Sequence, residues 1–507
     1  MSYLGLDIGT GGCKAVIYDA AGRELAEAFR EYPLKHPRPG YAELEPARVM
    51  QACYEVINEV NSSTSDPVAA MSISSQGEAF TPVDEHGTIL GNAMVSSDTR
   101  SKEIVKAWSD EFGTEQLYRI TGHTPHTLFS LYKILWIKLY QPEIWRKSRH
   151  FLCFEDLFHY RMGLPPKISW PLAGRTMLFD VTRHTWSRSI LEAVGLKEEK
   201  LALPVPSGEV CGIIPLPTRR KLGFSKPVLL VAGGHDQPVA ALGAGVIDKG
   251  MCMYATGSVE CFCPILEKPS FTKELQQNNL CCYDYTIREK YTSVAYSLTG
   301  GNILRWMRDQ LGQTEITQAA RTGKNAYSLL LDAMPSTPTG LLVLPYFSPT
   351  GTPYFDTSAT GAILGLKLTT TKGEITRALL EGVALEMKLN LELMEKSGMA
   401  IDTFIATGGG TRHPAWSQLK ADVLHKEIRI RNISEAGCFG ASLLAQSATE
   451  RVAVDELVRR NTAEAIIIHP DPARAEIYER KFRDYKYLYP ALKPIRSEDP
   501  TQMKENS

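Results

Sequence analysis

The sequence predicts an α/β protein whose second part restarts the pattern of its first, and three stretches carry that prediction. The chain opens on "YLGLDIGTGGCKAVIYDAAGRELAEAF", residues 3–29, which reads strand, glycine turn, strand, turn, strand. "GMCMYATGSVECFCPI" begins at Gly250, near mid-chain, and again reads strand, Thr-Gly turn, strand. The shared core is short for an internal repeat, but its position keeps a duplicated domain in play. Between the two, "VLLVAGGHDQPVAALGAG" runs from an apolar strand through a tight glycine turn into a small-residue helix with Pro238 in its first turn.

The elements follow in order. Leu4, Leu6 and Ile8 alternate, and residues 15–18 form a second apolar run, so the chain begins as an antiparallel meander. "PARVMQACYEVINEV" has Val49, Ala52, Cys53, Val56 and Ile57 at helical spacing. "FTPVDEHGTILG" reads as a hairpin turning at "DEHG". "LYKILWIKLYQPEIW" reads as a helix ended or kinked near Pro142. "TKGEITRALLEGVALEMKLNLELMEKSG" opens with a capping box, Thr371 to Glu374, and closes at Gly398. "IDTFIATGGGTRHPAWSQLKADVLHKEI" is strand, glycine turn, helix, and two terminal helices follow in "AVDELVRRN" and "PARAEIYERKFRDYKYLY". The tail from Glu498 is polar and expected to fray. The crossing between the two parts is placed at residues 244–250.

Composition narrows the class. The chain has 507 residues, 43% hydrophobic and 22% charged, enough for more than one core. A net charge of −1 provides no basic field, so neither nucleic acid nor an anionic membrane is expected as a partner. No apolar run approaches the ~20 residues of a membrane span, and the start "MSYLGLDIG" is no signal peptide. The ten cysteines form no C-x-x-C pair; Cys261, Cys263, Cys281 and Cys282 read as buried strand residues, and a cytoplasmic location is expected.

Three Gly/Thr turns follow strands: "DIGTGGCK", "YATGS" and "ATGGGTRHP". Such turns present consecutive backbone N–H groups that can cradle phosphate, although each alone is also explained by strand geometry. None is a Walker A loop, and G-x-G-x-x-G is not completed at the first, where Lys14 stands in the last glycine's place. Asp236 sits at a strand-to-helix turn, the usual lip of a ligand cleft in α/β sheets, where capping duty is the competing explanation.

The ordered set of pieces resembles the FGGY carbohydrate kinases, the family of glycerol kinase, xylulokinase and fuculokinase. The matching pieces are "GLDIGTGGCKAVIYDAAG", "SSQGEAFTPVD", "SSDTR", "TGHTPHTLFSLYKILW", "AGGHDQPVAALGAG", "YATGSVE", "LTGGNILRW", "LPYFSPTGTPYFDTSATGAILGL", "ALLEGVALE" and "ATGGGTRHPAWSQLKADVL". They run in family order from residue 5 to about residue 424, most of the chain. The resemblance implies two ribonuclease-H-like domains, akin to actin and hexokinase, closing over a cleft. It divides the chain into a sugar-binding domain at 1–247, a nucleotide-binding domain at 248–450 and a helical extension with tail at 451–507. It also implies the reaction: transfer of the γ-phosphoryl group of ATP, with Mg2+, to a hydroxyl of a small sugar, by an enzyme compatible with homodimer formation.

Site residues follow from the same resemblance. Asp236 is implied to be the catalytic base, its glycines letting substrate approach, with Gln237 beside it. Asp7 and Asp236 are the implied magnesium carboxylates, in the hydrated style of few protein ligands. Gly9, Thr10, Gly11, Gly12 and Lys14 match the first phosphate turn, and Thr256 with Gly257 the second. Gly300, Gly301 and Asn302 resemble the segment near ribose and phosphates; Gly409, Gly410 and His413 lie at the adenosine-side turn. Gln76, Gly77 and Glu78 fall where the family grips sugar hydroxyls, for which a carboxylate acceptor makes sense. Asp98, His126 and Phe129 are further pocket candidates, with pairing to Arg100 the alternative for Asp98.

The chain departs from the family's pattern at several points. Thr360 stands where many relatives have Arg, and His413 replaces the usual Asn, Arg or Ser. "SQGE" is neither the Met-His-Gly of xylulokinases nor the Gln-Arg-Glu of glycerol kinases, so the acceptor is not assigned by motif. A ketopentose such as xylulose leads, a polyol or deoxyketose follows, and an ATP-binding, non-catalytic actin-like protein is the rival from another class.

Overall fold

The computed structural model describes residues 1–431, 433, 435–461 and 464–496; the tail from Glu498 lies outside them. Two mixed sheets organise the chain. The first contains β1 (Ser2–Ile8), β2 (Gly12–Asp19), β3 (Glu24–Glu31), β4 (Val68–Ser75), β5 (Val210–Ile213) and β6 (Leu229–His235), in the order β5-β6-β4-β1-β2-β3. β1, β4 and β6 are parallel, and β2 and β3 continue β1 as the expected antiparallel meander. The second sheet holds β7 (Gly250–Thr256), β8 (Glu260–Leu266), β9 (Tyr283–Asp284), β10 (Tyr291–Thr292), β11 (Ala295–Ser297), β12 (Ile401–Thr407), β13 (Glu427–Arg431) and β14 (Ala465–Ile468). Here β7, β12 and β13 are parallel and β8 pairs antiparallel with β7, so the second sheet repeats the plan of the first.

The helices form where the periodicity places them. α1 (Pro46–Ser62) buries Val49, Ala52, Cys53, Val56 and Ile57, the stripe that the sequence spacing defines. α2 (Ser130–Tyr140) ends at Gln141, before Pro142 starts a separate short helix. α3 (Asp236–Ala244) follows β6 without an intervening residue, and α4 (Gly301–Leu311) follows Gly300. α5 (Lys372–Lys396) begins at the Thr371–Glu374 capping box, with both reciprocal hydrogen bonds formed. α6 (Pro414–Leu424), α7 (Ala436–Glu450), α8 (Val454–Asn461) and α9 (Pro472–Arg496) complete the series.

Several expectations are corrected. Gly233 and Gly234 make no turn; both lie inside β6. A side chain on Gly233 would overlap the carbonyl oxygen of Ile73 in β4, and one on Gly234 would press on Val239 and Thr286. The pair is therefore needed for close packing of β6. The "DEHG" turn exists, with Asp84 N–H bonded to Thr88 O at 3.0 Å, but beyond it the hairpin is only a bridge from Val83 to Ile89. The strand at Phe80–Val83 pairs instead with His150–Cys153. Cys281 and Cys282 are buried but precede β9 without belonging to a strand. Between the two terminal helices lies β14, unforeseen, paired antiparallel with β13.

α7 has the longest reach. It follows β13 of the second sheet yet packs on β1, β4 and β6 of the first. It crosses α3 in backbone contact, since side chains on Gly243 or Gly440 would overlap the facing helix's carbonyl oxygens. α7 begins at Ala436, and its second residue, Gly437, packs against Asp7 and Ser74.

Candidate active site

Three candidate segments emerge from the C-terminal ends of adjacent parallel strands, the place where α/β sheets bind ligands. Asp7 of β1, Ser74 of β4 and Gly234 of β6 stand side by side in the ladder. Gly9–Gly12 leave β1, Gln76–Glu78 leave β4, and Asp236 leaves β6.

Asp236 is the first residue of α3. Its carboxylate lies deep between the halves, with 35% of the side chain open to the cleft. Burial, with like charge from Asp7 and Glu78, pushes its pKa up to about 7. Gln237 hydrogen-bonds it and works in the opposite direction. Asp7 is likewise pushed up to about 6 by burial, despite a 2.6 Å hydrogen bond donated by Ser74 Oγ.

The first glycine turn closes by Gly9 N–H to Gly12 O at 2.9 Å. Gln76 braces it, accepting from Thr10 Oγ1 at 3.2 Å and donating Nε2 to Gly9 O at 2.9 Å. One acceptor site and one N–H of the Gln76 amide are thus engaged with the turn. Lys14 pairs with Glu435 at 2.7 Å, just before α7, and lies 3.5 Å from Glu27.

Glu78 occupies a left-handed backbone position, φ 64°, and its buried carboxylate receives Arg175 Nε at 2.6 Å as well as an Arg175 terminal nitrogen. A non-glycine residue in this conformation is strained, which is common at functional sites. Arg175 is buried; burial pulls its pKa down, but the Glu78 carboxylate outweighs that and holds it above the ordinary value. Its guanidinium lies 5.2 Å from the Phe129 ring centroid and 5.5 Å from that of Tyr283. Gly77 makes room for this packing, since a side chain there would press on His235 and Arg175. His126 accepts from Leu128 N–H at 3.1 Å and meets Phe355, across the cleft, at 5.0 Å between ring centroids. Burial pulls the His126 pKa down to about 4, with Lys133 and Arg175 adding to the effect, so it is neutral.

Asp98 is not brought to the site. It is fully buried; Oδ2 accepts Ala42 N–H at 2.7 Å and both oxygens accept Arg100. Arg100 in turn reaches Glu43 and lies 3.7 Å from the Tyr41 ring centroid. The pairing alternative holds. Asp98→Asn is therefore expected to lower the melting temperature and leave the sugar KM unchanged, whereas Glu78→Gln raises the sugar KM; steady-state kinetics beside thermal melts separate the two.

In the second half a cavity of about 470 Å³ is lined by Thr256, Gly257, Gly301, Asn302, Gly409, Gly410 and His413. These expected nucleotide residues therefore meet, with Gly300 just outside, donating its N–H to Asn302 Oδ1 at 2.8 Å. Thr256 Oγ1 donates to Thr407 O at 2.8 Å, so its hydroxyl holds the adjacent turn. Asp236 is not among the lining residues.

Comparison with known proteins decides the family. The model of the FGGY family of carbohydrate kinases, N-terminal domain, matches residues 2–243, and that of the C-terminal domain matches residues 254–449. The chain belongs to this family. A xylulose kinase of Bacillus subtilis (strain 168) is 25% identical over 498 residues, 97% of each chain. A gluconokinase of the same strain is 26% identical over 456 residues, 89% of this chain and 88% of the other. The crystal structure of gluconate kinase from Lactobacillus acidophilus shares the fold, with a TM-score of 0.89 at 24% identity over 97% of this chain and 98% of that one.

Residues of this carbohydrate kinase that the sequence reading missed are chiefly Arg175, Tyr283, Arg305, Asn325, Tyr327 and Arg412. The last four line the 470 Å³ cavity. No helix among the described residues is long and apolar enough to cross a membrane.

Proposed function

We propose that this kinase transfers the γ-phosphoryl group of ATP to a hydroxyl of a ketopentose such as xylulose, with Asp236 accepting the hydroxyl proton. The observation that carries the reading is Asp236 itself: an accessible carboxylate at a strand end, raised to about 7 and flanked by Asp7 and the Glu78–Arg175 pair. A base with a pKa near working pH accepts a proton efficiently and releases it between turnovers. Glu78 accepts hydrogen bonds from acceptor hydroxyls while Arg175 holds its carboxylate in place. In this reading residues 1–247 supply the acceptor site and 248–450 the nucleotide site, and closure of the two excludes water that would otherwise hydrolyse ATP. Gly9–Gly12 and Thr256–Gly257 present backbone N–H groups to phosphate oxygens from opposite sides.

Asp7 and Asp236 fit a magnesium ion, because neither is paired with Lys or Arg among the described residues and burial raises both. Bound there, the ion would neutralise charge on the transferred phosphoryl group, keeping most of its water shell.

A neutral ketose suits the pocket because Glu78 already compensates the charge of Arg175. One observation favours a second reading. Lys133 is fully buried, and its Nζ has no hydrogen-bond partner among the described residues. Burial lowers its pKa to about 8, with Glu78 and Asp98 opposing. An aldonate carboxylate would employ that cation.

ADP release coupled to a dye, run over ketopentoses, ketohexoses, deoxyketoses, polyols and gluconate, tests the proposal. A ketopentose giving the highest kcat/KM supports it, gluconate giving the highest replaces it with the second reading, and ATP binding without turnover on any acceptor returns the non-catalytic alternative. With the best acceptor, kcat/KM is expected to fall about tenfold per unit as pH drops below about 7, because protonated Asp236 accepts nothing. A flat profile from pH 5 to 8 contradicts this.

A further inference from the structure

We propose that Phe355, carried by the second half of the chain, is a specificity-determining wall of the acceptor pocket, and that Tyr489 of α9 is the residue that positions it. The wall limits how long an acceptor fits beside Glu78, favouring a ketopentose over a ketohexose. This rests on the reading of the Glu78–Arg175 region as the acceptor site and adds the residue that bounds it from the opposite half.

Phe355 lies on the turn between Thr350 and Asp356 and is held in a left-handed conformation, φ 49°. A bulky side chain there is strained, and such strain persists only where the surroundings over-determine it. Here the surroundings do so. Thr350 N–H donates to Asp356 O at 3.0 Å, Asp356 N–H to Thr350 Oγ1 at 2.6 Å, and Phe355 N–H to Gly351 O at 3.0 Å. The turn is tied to β11, where Thr352 N–H donates to Tyr296 O at 3.1 Å and Tyr296 N–H to Thr352 Oγ1 at 2.8 Å. Asn279 Nδ2 donates to Pro353 O at 2.7 Å. So fixed, the half-buried Phe355 ring meets His126 of the first half at 5.0 Å and Tyr296 at 5.9 Å between ring centroids. The charge of Arg175 acts on His126, and the charges of Arg175 and Glu78 act on Tyr296, so both rings neighbour the acceptor carboxylate. An aromatic ring in this place packs on the C–H face of a sugar and closes the space beyond its last carbon.

Tyr489 holds the turn from behind. Its hydroxyl donates to Asp356 Oδ2 at 2.5 Å, and its ring stacks on that of Tyr354 at 4.0 Å between centroids. Asp356 Oδ1 accepts Ser358 N–H at 2.8 Å and Ser358 Oγ at 2.6 Å, and Lys493 lies 3.7 Å from Oδ2. Phe355 is therefore flanked on both sides by residues that α9 grips. α9 is in turn anchored to α5. Tyr478 Oη donates to Glu381 Oε1 at 2.8 Å, Lys481 pairs with Glu381 at 2.5 Å, and Tyr485 Oη donates to Glu386 Oε2 at 2.5 Å. Both carboxylates are buried, so the helix is a fixed strut rather than a loose end. It lies beyond residues 254–449, so the match to the C-terminal family model does not account for it.

Acceptor preference separates a wall from plain packing. Steady-state kinetics with ATP and Mg2+ compare the screen's best acceptor with its homologue one carbon longer, D-xylulose and D-fructose in the leading case. Phe355→Ala is expected to raise the D-xylulose KM about tenfold and keep the ATP KM within about twofold. The ratio of kcat/KM for D-fructose over D-xylulose rises about tenfold, the scale on which an apolar wall discriminates by one carbon. Tyr489→Phe removes only the hydroxyl; it is expected to move the ratio the same way by about threefold and to add nothing in the Phe355→Ala background. An unchanged ratio in Phe355→Ala overturns the wall. No shift with Tyr489→Phe, or its full shift on top of Phe355→Ala, overturns positioning by Tyr489. Should Phe355→Ala fail to fold, Phe355→Gly, whose backbone takes a φ of 49° without strain, gives the same readout. Glu78→Gln run in parallel keeps the two readings apart: a raised acceptor KM there beside an unmoved ratio removes the wall alone, whereas an acceptor KM unmoved in both variants removes the acceptor site with it.

Discussion

Asp236→Asn loses kcat by about 10²- to 10⁴-fold, the range of a positioned general base, while binding ATP as the unaltered protein does. The amide keeps the size of the carboxylate, but it takes no proton. The same change affects stability in the opposite sense. A carboxyl group whose folded pKa is raised from 3.8 to about 7 disfavours folding increasingly as pH climbs through that interval, because the unfolded chain ionises first. The neutral amide removes that penalty, so the variant is expected to melt no lower than the parent at pH 8, and higher if the open part of the side chain leaves the penalty appreciable. Loss of turnover with equal or greater stability is the signature of a group kept for chemistry. Calorimetric ATP titration, steady-state kinetics and thermal melts at pH 6 and 8 read all three quantities. A variant that melts lower at pH 8 and recovers at pH 6 contradicts the sign.

Arg175→Met destabilises the fold by about 3–5 kcal/mol and raises the acceptor KM, because it leaves the Glu78 carboxylate buried without its partner. The pairing is intimate: Arg175 Nε donates at 2.6 Å, and neighbouring aromatic rings of Phe129 and Tyr283 enclose the guanidinium. Adding Glu78→Gln to Arg175→Met is expected to restore much of the stability but not the affinity for acceptor. Urea denaturation of the two single variants and the double closes the cycle. Strict additivity of the two losses would show that the residues act independently and would dismantle this part of the site.

Local patterns made much of this legible before any coordinates. The opening meander, the apolar stripe of α1, the capping box of α5 and the three strand-ending glycine turns all depend on near neighbours in the chain, and each formed where its residues place it. What escaped depends on distance along the chain. Arg175, in "LAGRTML", meets Glu78 from 97 residues away, and nothing in its surroundings marks it. Tyr283 reaches His235 across 48 residues, and α7 leaves the second sheet to pack on the first. Gly233 and Gly234 read as a turn because glycine pairs usually are one; here the approach of Ile73 demands them inside a strand. Asp98 matched by position, yet its side chain is committed to Arg100 and Ala42. Motif position says where a residue lies, not where its polar atoms find partners.

The most direct measurement is a crystal structure of the kinase with a non-hydrolysable ATP analogue and its best acceptor. The hydroxyl that becomes phosphorylated is predicted to lie within hydrogen-bond reach, about 3 Å, of an Asp236 oxygen, with the terminal phosphorus on its far side. A closed complex in which that hydroxyl instead meets Glu78, Asp7 or no carboxylate at all would contradict it.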